Sequence, residues 1–229
     1  MSEEEITGRS AREDILGRLK EIPKTVVEPR PDMPPLRELS LDREQMITTF
    51  IEKLTLEEGI VYRVQDGREA IARLTEIVVG EGLQKVMVST DDVVASLDLP
   101  AWGKEQGIAV LTPRDSGDRD SFRDAVFDEV EAGITGADYA VAESGTLVIV
   151  HDADQPRLIS LAPIMHIALV SVERIVPTYE RAIEELYGDT KNIPSHVTFI
   201  TGPSMTADIK GKPFKGMHGP RRLMVILIG

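Results

Sequence analysis

The sequence predicts an α/β fold, a mostly parallel sheet flanked by helices, with an N-terminal helical arm in front of it. Three observations carry that prediction. Short Val-, Ile- and Leu-rich runs alternate, from residue 42 to residue 131, with segments whose apolar residues recur at helical spacing. Residues 223–228, Leu-Met-Val-Ile-Leu-Ile, are apolar on both alternations, as a strand covered on both faces must be. Prolines at 23, 29, 31, 34 and 35 stop regular structure between the first helix and everything after it.

In chain order, residues 8–21 read as an amphipathic helix with Ser10 as N-cap candidate and Ile15, Leu16 and Leu19 on one face. The organisation expected is an arm over 1–22, a proline-rich linker over 23–41 and one large domain over 42–229. The arm suits packing on a neighbouring subunit, which would make a homo-oligomer, on another partner, or back on its own domain. A core-facing helix follows from Asp42 to near Gly59, with Met46, Ile47, Phe50, Ile51 and Leu54 inward. Then come a strand over 60–64, a helix over 67–79 and a strand over 85–89, one βαβ unit. Short helices are expected over 91–97 and around 102–106, a strand over 108–111 and a helix over 120–131. The second half is richer in strands: 139–142 and 147–150 joined by a Ser144-Gly145 turn, then 158–162, 167–172, 197–201 and 223–228, with a helix between 178 and 187.

Composition excludes several classes of function. The chain of 229 residues has no cysteine, which rules out disulfides, thiolate metal sites, a cysteine nucleophile and any iron–sulfur cluster held on its own thiolates. A cytoplasmic protein is expected. Neither a signal peptide nor a run of about 18 apolar residues is present, so no membrane span is expected. A formal net charge of −13 argues against nucleic-acid binding. Residues 209–229 are the exception, with Lys210, Lys212, Lys215, Arg221, Arg222 and no acid, a patch suited to a small anion or to balancing the acidic body.

No P-loop, Gly-x-Gly-x-x-Gly, His-Glu-x-x-His or Gly-x-Ser-x-Gly motif occurs. The candidates are instead short polar segments at strand ends, expected to gather in a crevice beyond the carboxyl ends of the sheet. Glu143-Ser144-Gly145-Thr146 offers a carboxylate, two hydroxyls and a glycine amide, either for acid/base or nucleophilic chemistry at Glu143 or simply as a hairpin turn. Residues 201–208, with Thr201, Gly202 and Ser204, read as a loop entering a short helix that Ser204 caps, a place for an anion. Residues 215–222 bring His218, Gly219 and Arg221, able to hold carboxylate or phosphate or to form a basic turn. His166 stands at a strand edge, either structural or a ligand contact, and the four histidines have no metal-binding spacing, so no metal is expected.

Four segments together resemble the LUD-domain family, of the lactate utilization protein C type: Gly-Ala-Asp-Tyr-Ala-Val-Ala-Glu-Ser-Gly-Thr-Leu (136–147), Pro-Ile-Met-His-Ile-Ala-Leu-Val-Ser-Val-Glu-Arg-Ile-Val-Pro (163–177), Thr-Gly-Pro-Ser-Met-Thr-Ala-Asp-Ile (201–209) and His-Gly-Pro-Arg (218–221). The resemblance spans roughly residues 42–229. It implies a NagB/RpiA/CoA-transferase-like fold and an accessory role in oxidising L-lactate to pyruvate beside partner proteins that carry the iron–sulfur clusters. Within that superfamily, Gly-Ala-Asp followed by Gly-Thr is similar to the sugar-phosphate isomerases related to translation-initiation factor 2B. Glu-Ser-Gly is loosely similar to the glutamate segment of CoA transferases. These likenesses keep open the alternative of an independent enzyme using Glu143. On the leading reading a small anionic ligand sits among Asp138, Ser144, Gly145, Thr146, His166, Thr201, Gly202, Ser204, His218, Gly219 and Arg221, with no cofactor bound by this chain.

Overall fold

A computed structural model describes residues 8–21, 35, 39–189, 191, 193–207 and 213–229. The chain divides into two units, Met1–Pro35 and Leu36–Gly229. In the first unit the described structure is helix α1 (Gly8–Glu21), which takes in Ser10 as a helical residue rather than a cap. Prolines 23, 29, 31 and 34 lie outside the described residues.

The second unit begins with α2 (Arg43–Leu56), started by a capping box in which the Asp42 carboxylate and the Gln45 side chain exchange hydrogen bonds with each other's backbone. It continues through β1 (Ile60–Val64), α3 (Gly67–Glu81), β2 (Lys85–Val88), α4 (Asp92–Ala95), α5 (Leu99–Gln106) and β3 (Ala109–Leu111). Next come α6 (Arg119–Asp124), β4 (Ala132–Gly136), β5 (Tyr139–Val141), β6 (Thr146–Val150), α7 (Leu158–Leu161), β7 (Met165–Ser171) and β8 (Ile175–Val176). The chain closes with α8 (Tyr179–Tyr187), β9 (Val197–Ile200), β10 (Met205–Ala207), β11 (Pro213–Lys215) and β12 (Arg222–Ile228).

Six strands form a wholly parallel sheet in the order β1-β12-β7-β4-β2-β3. The doubly apolar run at 223–228 is therefore an interior strand, and its two faces serve two cores. Met224 and Ile226 pack with Leu74 and Val78 of α3 and Trp102 of α5. Leu223, Val225 and Leu227 pack with Phe50 and Leu54 of α2 and with Leu147 and Ile149 of β6. A second sheet, β8-β5-β6-β9, covers that latter face, and α8 closes its far side through Ala182 and Leu186 on Val141 and Val148. The layers are thus helices, large sheet, α2 with the small sheet, and α8.

Three local expectations are corrected. Residues 158–162 form not a strand but the single turn α7, which closes on β4 because Gly133 has no side chain; a Cβ there would strike the Ile159 carbonyl. Where a helix was expected after Thr201, the described residues form a strand. Met205–Ala207 pairs antiparallel with Pro213–Lys215, and Ser204 instead donates its backbone N–H to Pro220 O at 2.8 Å. The helix expected over 120–131 is α6 followed by a π-type turn over Ala125–Glu129, wound wider so that Val130 can leave toward β4.

Candidate functional site

The polar segments do not gather at the carboxyl ends of the large sheet. His166, the second residue of β7, is level with Leu223 of β12 and Gly133 of β4, near the start of all three parallel strands. The site is thus at the amino ends, in the layer between the two sheets. His166 faces that layer with Ala168 and Val170, opposite Thr198, which is paired with Ile149. A cavity of about 200 Å³ opens there. Ser160 and Leu161 come to its wall from α7, which Gly133 admits. Thr201, Gly202 and Ser204 come from the end of β9, and His218 and Gly219 from the approach to β12. Backbone bonds from Ser204 N to Pro220 O and from Gly216 N to Ser204 O, each 2.8 Å, hold the two latter segments together.

Six of the residues expected to bind ligand, His166, Thr201, Gly202, Ser204, His218 and Gly219, therefore line one cavity. Among the described residues no Asp, Glu, Lys or Arg lies on its wall, which is made of hydroxyls, imidazoles, glycine backbone and apolar side chains. His166 is its most constrained group. The ring is 1% exposed, its Nε2 lies 2.8 Å from Thr135 Oγ1, and its Nδ1 is buried with no partner. Burial, with His151 close enough to add a small repulsion, drives its pKa down to about 3, so the imidazole is neutral at physiological pH. A neutral imidazole brings no charge to the cavity it lines, and its buried Nδ1 is a polar atom left without a partner.

Behind the cavity runs a buried polar seam. His151 Nε2 meets Thr198 Oγ1 at 2.7 Å and its Nδ1 meets Gln155 O at 3.1 Å. Gln155 Nε2 donates to Val150 O at 3.1 Å and more distantly to Asp138 Oδ2, which also accepts from Val150 N at 2.7 Å. Burial lowers the His151 pKa and raises that of Asp138; the Val150 N–H and the Arg174 guanidinium partly counter the latter shift. Thr135, His151, Gln155, Ser160 and Thr198 were not singled out from sequence. Thr135 and Thr198 sit inside strands, where only the register shows which way they face; His151 and Gln155 follow β6, and Ser160 is in α7.

The remaining candidates are placed elsewhere. Glu143 does not line the cavity; its Oε1 accepts from Tyr179 N at 2.9 Å, at the start of α8. Gly145 adopts a left-handed backbone (φ 66°), and a Cβ there would run into the Leu54 backbone. The group that approaches this glycine closely is α2, not a ligand. Ser144 and Tyr179 hydroxyls both lie 2.8 Å from Thr146 Oγ1, which reaches Thr201 Oγ1 at 2.9 Å and so connects this cluster to the cavity wall. Asp138 belongs to the seam, and Arg221 lines an adjoining cavity that shares Leu161, His218 and Gly219. Lys215 and Arg222 of the basic segment pair with Glu58 and Glu81, while Lys210 and Lys212 lie outside the described residues. Among the described residues, no group of three or more His, Asp or Glu is placed to hold a metal, and no helix is long and apolar enough to cross a membrane.

Comparison with known proteins agrees with this architecture. A lactate utilization protein C from Deinococcus radiodurans is 30% identical over 168 residues, 73% of this chain and 76% of the relative. Another, from Anoxybacillus flavithermus, is 31% identical over 155 residues, 68% of each chain. The crystal structure of a DUF162 family protein from Deinococcus radiodurans superposes with a TM-score of 0.62 at 24% identity, covering 82% of this chain and 99% of that one, and so shares the fold. The LUD domain pattern matches residues 47–228, which takes in both sheets and every wall of the cavity, and the chain belongs to the LUD domain family.

Proposed function

We propose that this chain is a cytoplasmic accessory component of L-lactate oxidation to pyruvate, and that it binds a small anionic ligand in the cavity beside His166. The clusters that accept electrons in that process belong, on this reading, to iron–sulfur partner proteins. The relatives named for lactate utilization support the process, and a cysteine-free chain suits a role beside cluster-bearing partners. The single observation that carries the binding reading is the meeting of His166, Thr201, Ser204 and His218 on the wall of one cavity. The C2 oxygen of a hydroxy or keto acid would meet the hydroxyls of Thr201 and Ser204, and the carboxylate would face the exposed His218 and, beyond it, Arg221.

The depressed His166 pKa makes this ring a weak base, so its part is to recognise the ligand, not to remove a proton from it. Titration of the full chain with L-lactate and with pyruvate tests the binding. A ligand at 100 times its Kd adds about 2.7 kcal/mol, a rise in Tm of roughly 5–10 °C for a chain of this size. No shift with either acid would end the small-anion reading. Deletion of the gene should abolish growth on L-lactate, and a deletion strain that grows normally on it would end the lactate reading.

A further inference from the structure

Arginines in the larger unit are paired to Asp or Glu with four exceptions among the described residues: Arg68, Arg119, Arg157 and Arg221. Three of these four line two neighbouring hollows. Arg119 and Arg157 border a hollow of about 510 Å³. Arg221 borders a neighbouring hollow of about 480 Å³. The two share Phe127 and Leu158 as common walls. Asp120 also faces the first hollow, but it is engaged by Arg123, 2.8 Å away. Beside Arg119 and Arg157 the wall of the first hollow is apolar, made by Phe122, Leu158 and Phe127, the last 58% exposed; Arg157 Nη1 also meets His196 Nε2 at 3.1 Å.

An acidic protein has carboxylates to spare, so cations left without one and concentrated on one surface mark a place for an anion from outside the chain. Exposed apolar side chains beside them mark a place for an apolar body. Each hollow falls within the range of about 300–1,000 Å³ usual for organic ligands and exceeds what a three-carbon acid fills. The two guanidinium groups of Arg119 and Arg157 match a group carrying two negative charges better than a single carboxylate.

We propose that the first hollow, a cleft between α6 and the start of α7, is a second binding site, for an organic phosphate with an apolar body. The body lies on Phe122, Phe127 and Leu158, and the phosphate is held by Arg119 and Arg157. This cleft has no wall residue in common with the His166 cavity, so lactate and pyruvate titrations report on that cavity and the following probes report on the cleft.

Octyl phosphate, octanoate, octanol and inorganic phosphate are titrated into the full chain by calorimetry at low and high salt. Octyl phosphate is expected to bind at least tenfold tighter than each of the other three, with affinity falling as salt rises. The double variant Arg119→Gln/Arg157→Gln and the single variant Phe127→Ser should each weaken it at least tenfold, whereas Arg68→Gln, the unpaired arginine outside the cleft, should leave it unchanged. Circular dichroism of each variant checks the fold. Octyl phosphate binding no tighter than inorganic phosphate, or equally tight in the double variant, overturns the proposal; octanoate binding as tightly overturns the assignment to phosphate. Co-sedimentation with phosphatidylcholine vesicles carrying phosphatidic acid identifies a lipid phosphate. Octyl phosphate binding without co-sedimentation identifies a soluble one.

Discussion

The imidazole of His166 meets the hydroxyl of Thr135 through Nε2 at 2.8 Å and leaves Nδ1 buried with nothing to bond. The ring is thus held from one side only. Thr135→Val keeps the shape of the wall and removes that one partner, which should cost about 1–3 kcal/mol because a buried polar atom then goes unsatisfied. Urea unfolding of the variant at pH 7 measures it. A variant as stable as the parent would mean that the bond contributes nothing.

Acid should unfold the protein earlier than a chain without this histidine. Folded His166 has its pKa at about 3, below the ordinary 6.5, so between those values the unfolded chain binds the extra proton and stability falls as pH falls. One such group contributes up to about 1.4 kcal/mol per pH unit. His151, also shifted down, acts in the same direction; Asp138, shifted up, acts in the opposite one because its folded form takes the proton first. Unfolding free energies of the parent and His166→Asn at pH 7, 6 and 5 should show the shallower slope in the variant. Parallel slopes would show that His166 does not titrate in this window.

At the Glu-Ser-Gly-Thr turn the glycine should matter to stability more than the glutamate. Gly145→Ala forces a side chain into left-handed backbone at a cost of about 1–2 kcal/mol, and adds an overlap with the Leu54 backbone. Glu143→Gln keeps an oxygen that accepts from Tyr179 N and gives up the charge at the start of α8, a charge worth about 0.3–1 kcal/mol there. Neither residue lines the His166 cavity, so Glu143→Gln should leave lactate or pyruvate binding unchanged. A loss of binding in that variant would return Glu143 to the site.

Gly133→Ala addresses the cavity from its far wall. The new methyl meets the Ile159 carbonyl, so α7 must lift from β4 and carry Ser160 and Leu161 with it. Both stability and ligand affinity should drop, and calorimetry together with thermal unfolding separates the two. Affinity kept at the parental value would show that α7 is not a working wall.

The large sheet was legible in the sequence because its strands are apolar on both faces. Residues 223–228 announce an interior position without knowledge of any neighbour. Six cavity residues were legible as polar groups at strand ends, but not the end at which they meet. That depends on His166 standing at the start of β7 and His218 preceding β12 in a parallel sheet, whereas Gly136-Ala137-Asp138 lies at the far end of β4. Thr135, Thr198 and His151 were invisible as site neighbours because a polar residue inside a strand shows its facing only once register is known. Ser144-Gly145 read as a turn open to a ligand, since a glycine signals close approach without naming what approaches. In the same way Leu158-Ile159-Ser160-Leu161 is too short for periodicity to tell a strand from one helical turn.

The interior place of β12 has a consequence for how the polypeptide is assembled. Ile60 of β1 is matched with Met224, so β1 gains its neighbour only when a segment about 160 residues further along has been made, and contacts so distant in sequence slow folding. Until that strand arrives, β7 is bound to β4 on one side and bare on the other, and β1 is bare on both. Each bare edge displays unpaired amide and carbonyl groups, a template for adhesion to other nascent chains. Synthesis thus makes β1 and the four strands β7-β4-β2-β3 before β12, the strand that joins them, and the gap it fills is where a chaperone would have to stand guard.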